Sequence, residues 1–335
     1  MLERPLGTSA RTLATALVSL MLVAISGAAA SAADEWNFYM HQSAPNFATS
    51  RGAKLFTEEI EKATNGELKV RLHLAGTLQI NPSNITQAVG TNVVQIADDL
   101  FNSGNIQVAG IPRLPMLIQS YEDFAKADAV LKPYIDKAFG QKGSTVLASY
   151  TYPLQFIWGR KKLESLDDIK GMKLRVAQPE QGEFVRRFGG TSITMSAPEV
   201  PSALDRGVVD GIFTAGVGAV LWKDLLKYGY VLIINVNNSY FIANTEAFDK
   251  LKPELQAKVR KVAADTARWD QETMQKEEAD SVQVLTAAGY TFTKATAEEN
   301  ARAVAAMTPY WDEWAKSRSP DIVEALAKVR AALGR

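Results

Sequence analysis

The 335-residue chain contains no cysteine. That absence excludes disulfide scaffolds, thiolate nucleophiles, thiolate zinc sites and iron–sulfur clusters, and it suits a compartment where stray thiols would oxidise. Histidine is nearly missing as well, with His41 and His73 the only two. Net charge is absent: 37 Lys and Arg balance 37 Asp and Glu, which argues against nucleic acid or an anionic membrane surface as a partner. Beyond the N-terminal region, no apolar run is long enough to cross a bilayer. There is no Gly-x-Ser-x-Gly elbow, no Walker phosphate loop and no His-Glu-x-x-His. Gly216-Val217-Gly218 lacks the third glycine of a dinucleotide fingerprint, and Leu occupies position 221. Asp98 and Asp99 are neighbours, but neighbours on a strand face opposite sides and do not form a carboxylate pair. No catalytic constellation assembles, and neither a cofactor nor a metal is implied.

What is present begins with a leader. Arg4 and Arg11 precede an apolar run from Leu13 to Gly27, followed by Ala28-Ala29-Ala30-Ser31-Ala32-Ala33. A basic start, an apolar stretch too short to span a bilayer and an Ala-x-Ala site describe a secretory signal peptide, residues 1–32, cleaved after Ala32. The exported remainder is of ordinary globular composition, and its length supports one large or two medium domains.

Along the chain, Trp36–Met40 reads as a strand and 48–64 as an amphipathic helix. Leu68, Val70, Leu72 and Leu74 alternate with polar residues as a half-buried strand, with His73 on its exposed side. Asn81-Pro82 starts a helix to about Val89, and 93–98 follows as a strand. Pro112 and Pro115 break the next stretch, and Ser120 opens a helix to Phe139. Strands are expected at 145–149 and 155–158, a helix at 217–226, and strands at 231–236 and 240–244. From Pro253 to Ala288 the pattern is helical, with Leu255, Val259, Val262, Thr266 and Trp269 on one stripe. So long a helix should span more than one lobe or kink. Helices over 297–317 and 320–333 end the chain. No flexible linker is visible, so two lobes would be joined by strand crossings and the long helix.

The organising stretch is 166–211. Leu166-Asp167-Asp168-Ile169-Lys170-Gly171 is a helical turn into a strand, with Arg175 near the strand's end. Ser196-Ala197-Pro198-Glu199 has the spacing of a capping box and leads through a helix to a second strand at Gly211. Carboxyl ends of strands in open α/β sheets are where ligands sit. A guanidinium there offers a planar fork for a carboxylate. On the residues alone, Arg175 fits a ligand anchor and a surface or interdomain salt bridge equally well.

Lys170-Gly171-Met172-Lys173-Leu174-Arg175-Val176, followed by Ala203-Leu204-x-x-Gly207-Val208-Val209-Asp210-Gly211, resembles the solute-binding proteins of tripartite ATP-independent periplasmic (TRAP) transporters. The first block is similar to their DLKGLKIRV motif and the second to their ALQxGVVDGQE motif. The resemblance implies a two-lobed α/β clamshell with a long helix spanning the lobes. One lobe would comprise residues 33–152 with 237–276, the other 153–236 with 277–335. It further implies that Arg175 pairs with a ligand carboxylate and that the loaded, periplasmic protein docks on an ion-gradient-driven membrane permease. By position, Gln178, Phe213, Thr214, Asn238, Asn81 and His41 correspond to site residues of that family. Asn81 also fits a helix cap, Asn238 a turn and Gln178 an exposed loop amide. Gln155 stands where sialic-acid-binding members carry a second arginine, and Ile212-Phe213-Thr214 replaces Gln-Glu-Asn after Asp-Gly. Together with Phe101, Phe156, Trp158 and Trp222, these departures point to a less polar ligand, an aromatic or short 2-oxo or hydroxy acid. Three other readings remain: a secreted enzyme using His41 as its acid or base, a ligand-presenting sensor, and the binding component of an ATP-driven importer.

Overall fold

The computed structural model describes residues 34–335; the signal-peptide assignment lies outside them. Strand β1 (Asp34–Met40) crosses through helix α1 (Ala48–Ala63) to β2 (Leu68–Leu74), and the two strands pair in parallel. A parallel pair needs such a crossover, because a tight turn cannot return the chain to the same end. A 3₁₀ turn at Pro82–Asn84 leads into α2 (Ile85–Gly90) and β3 (Ile96–Asp99). β3 starts later than its apolar run because Asn92 adopts φ 60° and Val93 is exposed. A long 3₁₀ segment, Gln107–Arg113, precedes α3 (Tyr121–Gly140), whose first turn is capped by the Ser120 hydroxyl accepting from the Asp123 N–H at 3.0 Å. β4 (Ser144–Thr151) then ends the first half.

The next part runs β5 (Phe156–Gly159), the turn Leu166–Ile169, β6 (Lys173–Val176), α4 (Pro179–Arg187), β7 (Thr191–Thr194), α5 (Val200–Asp205), β8 (Gly211–Thr214), α6 (Gly216–Leu221) and β9 (Tyr228–Val231). The chain returns through β10 (Asn238–Asn244), α7 (Thr245–Lys250), α8 (Pro253–Ala287), β11 (Thr291–Lys294), α9 (Ala297–Lys316) and α10 (Pro320–Leu333).

Two sheets result, one of five strands in the order β2-β1-β3-β10-β4 and one of six in the order β11-β9-β5-β8-β6-β7. Residues 152–155 and 232–237 cross between them side by side. The Tyr152 N–H donates to the Asn237 carbonyl (2.8 Å), and Gln155 and Ile234/Asn235 exchange backbone bonds of 3.0 Å. The sequence suggests a strand over 231–236. Only Val231 belongs to one, and Leu232, Ile234 and Val236 are apolar because they line the crossing inside the core. Similarly, the helix expected over 217–226 ends at Leu221. α8 is the third connection, 35 residues long, with Leu255, Val259, Val262 and Thr266 buried as the periodicity predicts and Trp269 half-buried. The last helix, α10, packs on α3. His73 is half-buried rather than exposed, its Nε2 lying 2.9 Å from Asn37 Oδ1.

Candidate ligand-binding site

Strand alternation sets the site. In β6, Leu174 and Val176 enter one core, so Arg175 faces the other side, where the register puts it beside Ile193 and Ile212. The residue is only 4% exposed. Nε and Nη2 donate to the Met195 carbonyl (3.0 and 2.8 Å), and Nη1 donates to the Phe213 carbonyl (3.3 Å). Those bonds use three of five N–H groups. Burial lowers the guanidinium pKa to about 10, against the longer-range pull of exposed Glu199. At neutral pH it is still a cation, and among the described residues it forms no ion pair. A buried charge without a counter-charge is costly. Two of the guanidinium N–H groups are left without a protein acceptor among the described residues.

In the first sheet, the carboxyl ends of parallel β1 and β3 carry a polar and aromatic cluster. His41, largely buried, places Nε2 3.0 Å from the Tyr152 hydroxyl and Nδ1 3.4 Å from Asp98. Asp98 also accepts from Tyr150 at 2.6 Å and from Ser239. Phe101, half-buried, meets the His41 ring edge-on at 5.8 Å, and half-buried Phe47 stacks on Tyr152 at 6.4 Å. Asp99 turns to the opposite side, bonded to Thr86, and desolvation raises its pKa to about 7.

The other sequence candidates divide. Gln178, at the end of the loop after Arg175, is buried, and Ser103 Oγ donates to its Oε1 at 3.5 Å, so it touches the loop that follows β3. Gln155 is buried in the crossing and donates to the Pro153 carbonyl at 2.8 Å. Asn238 is buried at the start of β10, accepting from Arg113 Nε (2.8 Å) and donating to the Tyr240 hydroxyl (2.7 Å). Phe213 meets Arg175 through its carbonyl, while its ring packs at 5.9 Å on Phe184 on the far side of the sheet. Thr214 shares the Arg175 face; its carbonyl accepts from the Trp158 indole at 2.8 Å. Trp222 lies in the core with Trp158, Leu204 and Leu226. Phe156 and Trp158 also line a separate apolar pocket of about 330 Å³ with Phe292 and Val282 of β11 and α8. Asn81 is exposed and acts as a cap, accepting from the Ser83 N–H (3.0 Å) and hydroxyl (2.7 Å).

Sequence reasoning passes over Arg113, Asn102, Gln181 and Asn235, all fully buried where the crossing segments meet both sheets. A usable signal exists for one of them. Arg113 is the lone charge in the apolar stretch from Ile106 to Ile118.

Comparison with known proteins now bears on this arrangement. Residues 39–317 match the family model DctP, bacterial extracellular solute-binding protein, family 7. The chain belongs to this family of TRAP-type solute-binding proteins. Over 303 residues it is 27% identical to the C4-dicarboxylate-binding periplasmic protein DctP of Rhodobacter capsulatus, covering 88% of this chain and 90% of that protein. Its fold matches a Bordetella pertussis extracytoplasmic solute receptor binding pyroglutamic acid, with TM-score 0.82 and 24% identity over 89% of this chain and 100% of the other. It also matches a Ralstonia eutropha TRAP periplasmic solute-binding protein with bound (S)-2-acetolactate, with TM-score 0.80 and 20% identity over 89% of this chain and 99% of the other. The two-lobed α/β fold with its long helix is therefore that of TRAP periplasmic binding proteins.

Proposed function

We propose that the protein captures a small organic acid between its two sheets, with Arg175 holding the ligand carboxylate, and delivers it to an ion-gradient-driven TRAP permease. The observation that carries this reading is the Arg175 guanidinium, buried at a strand's carboxyl end without a counter-charge. The similar structures hold carboxylates of several kinds, pyroglutamate, (S)-2-acetolactate and glucuronate among them, which supports a small organic acid as ligand. Half-buried Phe47 and Phe101 on one side and Phe156 and Met195 on the other favour a less polar acid over a polyhydroxylated one. Gln178 and His41 are the polar groups that complete the site, while the Asn238 amide is already engaged by Arg113 and Tyr240. The two sheets act as the jaws, flexing at 152–155 and 232–237, with α10 moving with α3. Export by cleavage after Ala32 brings the chain to the periplasm.

An enzymatic role would require His41 to be free to exchange protons with a substrate. Tyr152 at 3.0 Å engages its Nε2, and its Nδ1 is buried facing Asp98 at 3.4 Å, which argues against that role.

A thermal-shift screen over carboxylates identifies the ligand, since a molecule bound only by the native state raises the melting temperature. Arg175→Ala then weakens binding about 30-fold or more, the consequence of removing one partner of a buried charge pair. Calorimetry showing near-unchanged affinity would eliminate Arg175 as the anchor.

A further inference from the structure

A chain of hydrogen bonds runs through the interior from one sheet's loop to the other's. Arg113 Nη2 donates to the Leu100 carbonyl (2.7 Å) and to Asn102 Oδ1 (3.3 Å), and its Nε donates to Asn238 Oδ1 (2.8 Å). The Arg113 carbonyl accepts from Asn235 Nδ2 at 3.1 Å, and Asn235 Oδ1 accepts from Gln181 Nε2 at 3.0 Å. Gln181 Oε1 then accepts from the backbone N–H groups of Ala177 (2.9 Å) and Gln178 (3.3 Å). Asn102, Arg113, Gln181, Asn235 and Asn238 are all 0% exposed.

We infer that this chain positions the two walls of the ligand site against each other, with Gln181, Asn235 and Arg113 as its positioning residues. The inference rests on Arg175 marking that site. One end of the chain holds residues 177–178, directly after the β6 strand that carries Arg175. The other end holds residues 100–102, after β3. The loops themselves approach closely, with Ser103 Oγ 3.5 Å from Gln178 Oε1. Packing alone does not explain the choice of residues. Apolar side chains fill a core without directional demands, whereas each buried amide or guanidinium is costly wherever a bond is lost. What the polar chain adds is direction: Asn235, on a crossing segment, bonds one way to α4 and the other way to the 3₁₀ segment ending at Arg113. A shift of either loop breaks a bond between groups that are fully buried, so the loss is costly.

Amide hydrogen exchange in the ligand-free protein tests this, so the result does not depend on how Arg175→Ala binds carboxylates. Asn235→Ser removes both central bonds. Protection should fall about tenfold at Ala177 and Gln178 and at least about threefold at residues 100–103, while α8 and the β1–β2 pair keep theirs. Loosening confined to one side, or equal loss everywhere, overturns the proposal. Gln181→Glu is the second variant. Its carboxylate still accepts from Ala177 and Gln178 but, when ionised, has no proton for Asn235 Oδ1; when protonated, it has one. At pH 8 it should lose protection at residues 100–103 as Asn235→Ser does, and at pH 5 regain wild-type protection after correction for intrinsic rates. Should Asn235→Ser fail to fold, this comparison within one protein decides, and the same protection factors at both pH values overturn the inference.

Discussion

At the scale of single residues, the first sheet carries charge in its interior as well as at its mouth. Asp99 is buried, and desolvation outweighs the Thr86 hydrogen bond and the attraction of Arg113, raising its pKa from 3.8 to about 7. Below about pH 4 the carboxyl is protonated in both the folded and the unfolded chain and does not affect stability. Between pH 4 and 7 the unfolded chain loses the proton first, so stability falls as pH rises, and above pH 7 the full cost is present. Asp99→Asn keeps an oxygen for the Thr86 hydroxyl and removes the charge. It should therefore stabilise the protein at pH 8 by on the order of 2 kcal/mol, with the advantage vanishing near pH 4 in urea titrations. Residues like this one were not legible in the sequence, and the reason is physical. Arg175 stands in a motif whose spacing fixes its place on a strand. The roles of Asp99 and Arg113 depend on which side chains the fold stacks beneath them, and spacing along the chain does not encode that.

At the scale of elements, the α1–α8 contact is set by a single missing methyl group. A Cβ at Gly52 would overlap the Asp270 carboxylate, whose two oxygens are buried without a hydrogen-bond partner. Desolvation and the nearby Asp98 push the Asp270 pKa well above its ordinary value, with Arg51 opposing. Gly52→Ala should cost about 1–3 kcal/mol by overpacking. The same change in an Asp270→Ala background should cost almost nothing, because the obstacle is gone and alanine is the better helix former. A double-mutant cycle of urea melts measures the coupling; additive effects would place the two residues out of contact. The helices of this pair were legible because each carries a sustained apolar stripe. The elements missed were short: α4, α7, β7 and β11. β7 and β11 are four-residue strands at the two edges of the second sheet, with intermediate central residues and exposed ends. An edge strand buries too little on either face to imprint an alternation on its sequence.

At the scale of the whole molecule, the chain crosses between the sheets more often than a reading of its strands suggests. The apolar run 231–236 has the composition of a buried strand, and periodicity alone does not separate a strand from an extended crossing inside a core. The C-terminus adds another return. After β11 has joined the second sheet, α10 comes back to lie on α3, burying Ile322, Ala325, Leu326 and Val329, and Arg335 pairs with Asp123 at 2.7 Å. That arrangement makes the last helix a brace on the first half of the molecule and keeps it apart from the site residues around Arg175. A chain ending at Ser319 loses the burial of those four side chains and uncovers the face of α3 beneath them. At roughly 1.5–3 kcal/mol for each large apolar side chain, the loss is on the order of 5 kcal/mol. For a protein of this size that lowers the melting temperature by roughly 8 °C. Below its lowered transition, the shortened protein should still bind the carboxylate found by thermal shift with affinity within about threefold of the full chain, a difference of about 0.6 kcal/mol. Unchanged melting would mean that α10 contributes no net packing. A lost melting temperature accompanied by lost affinity in the folded fraction would mean that the brace also shapes the cleft.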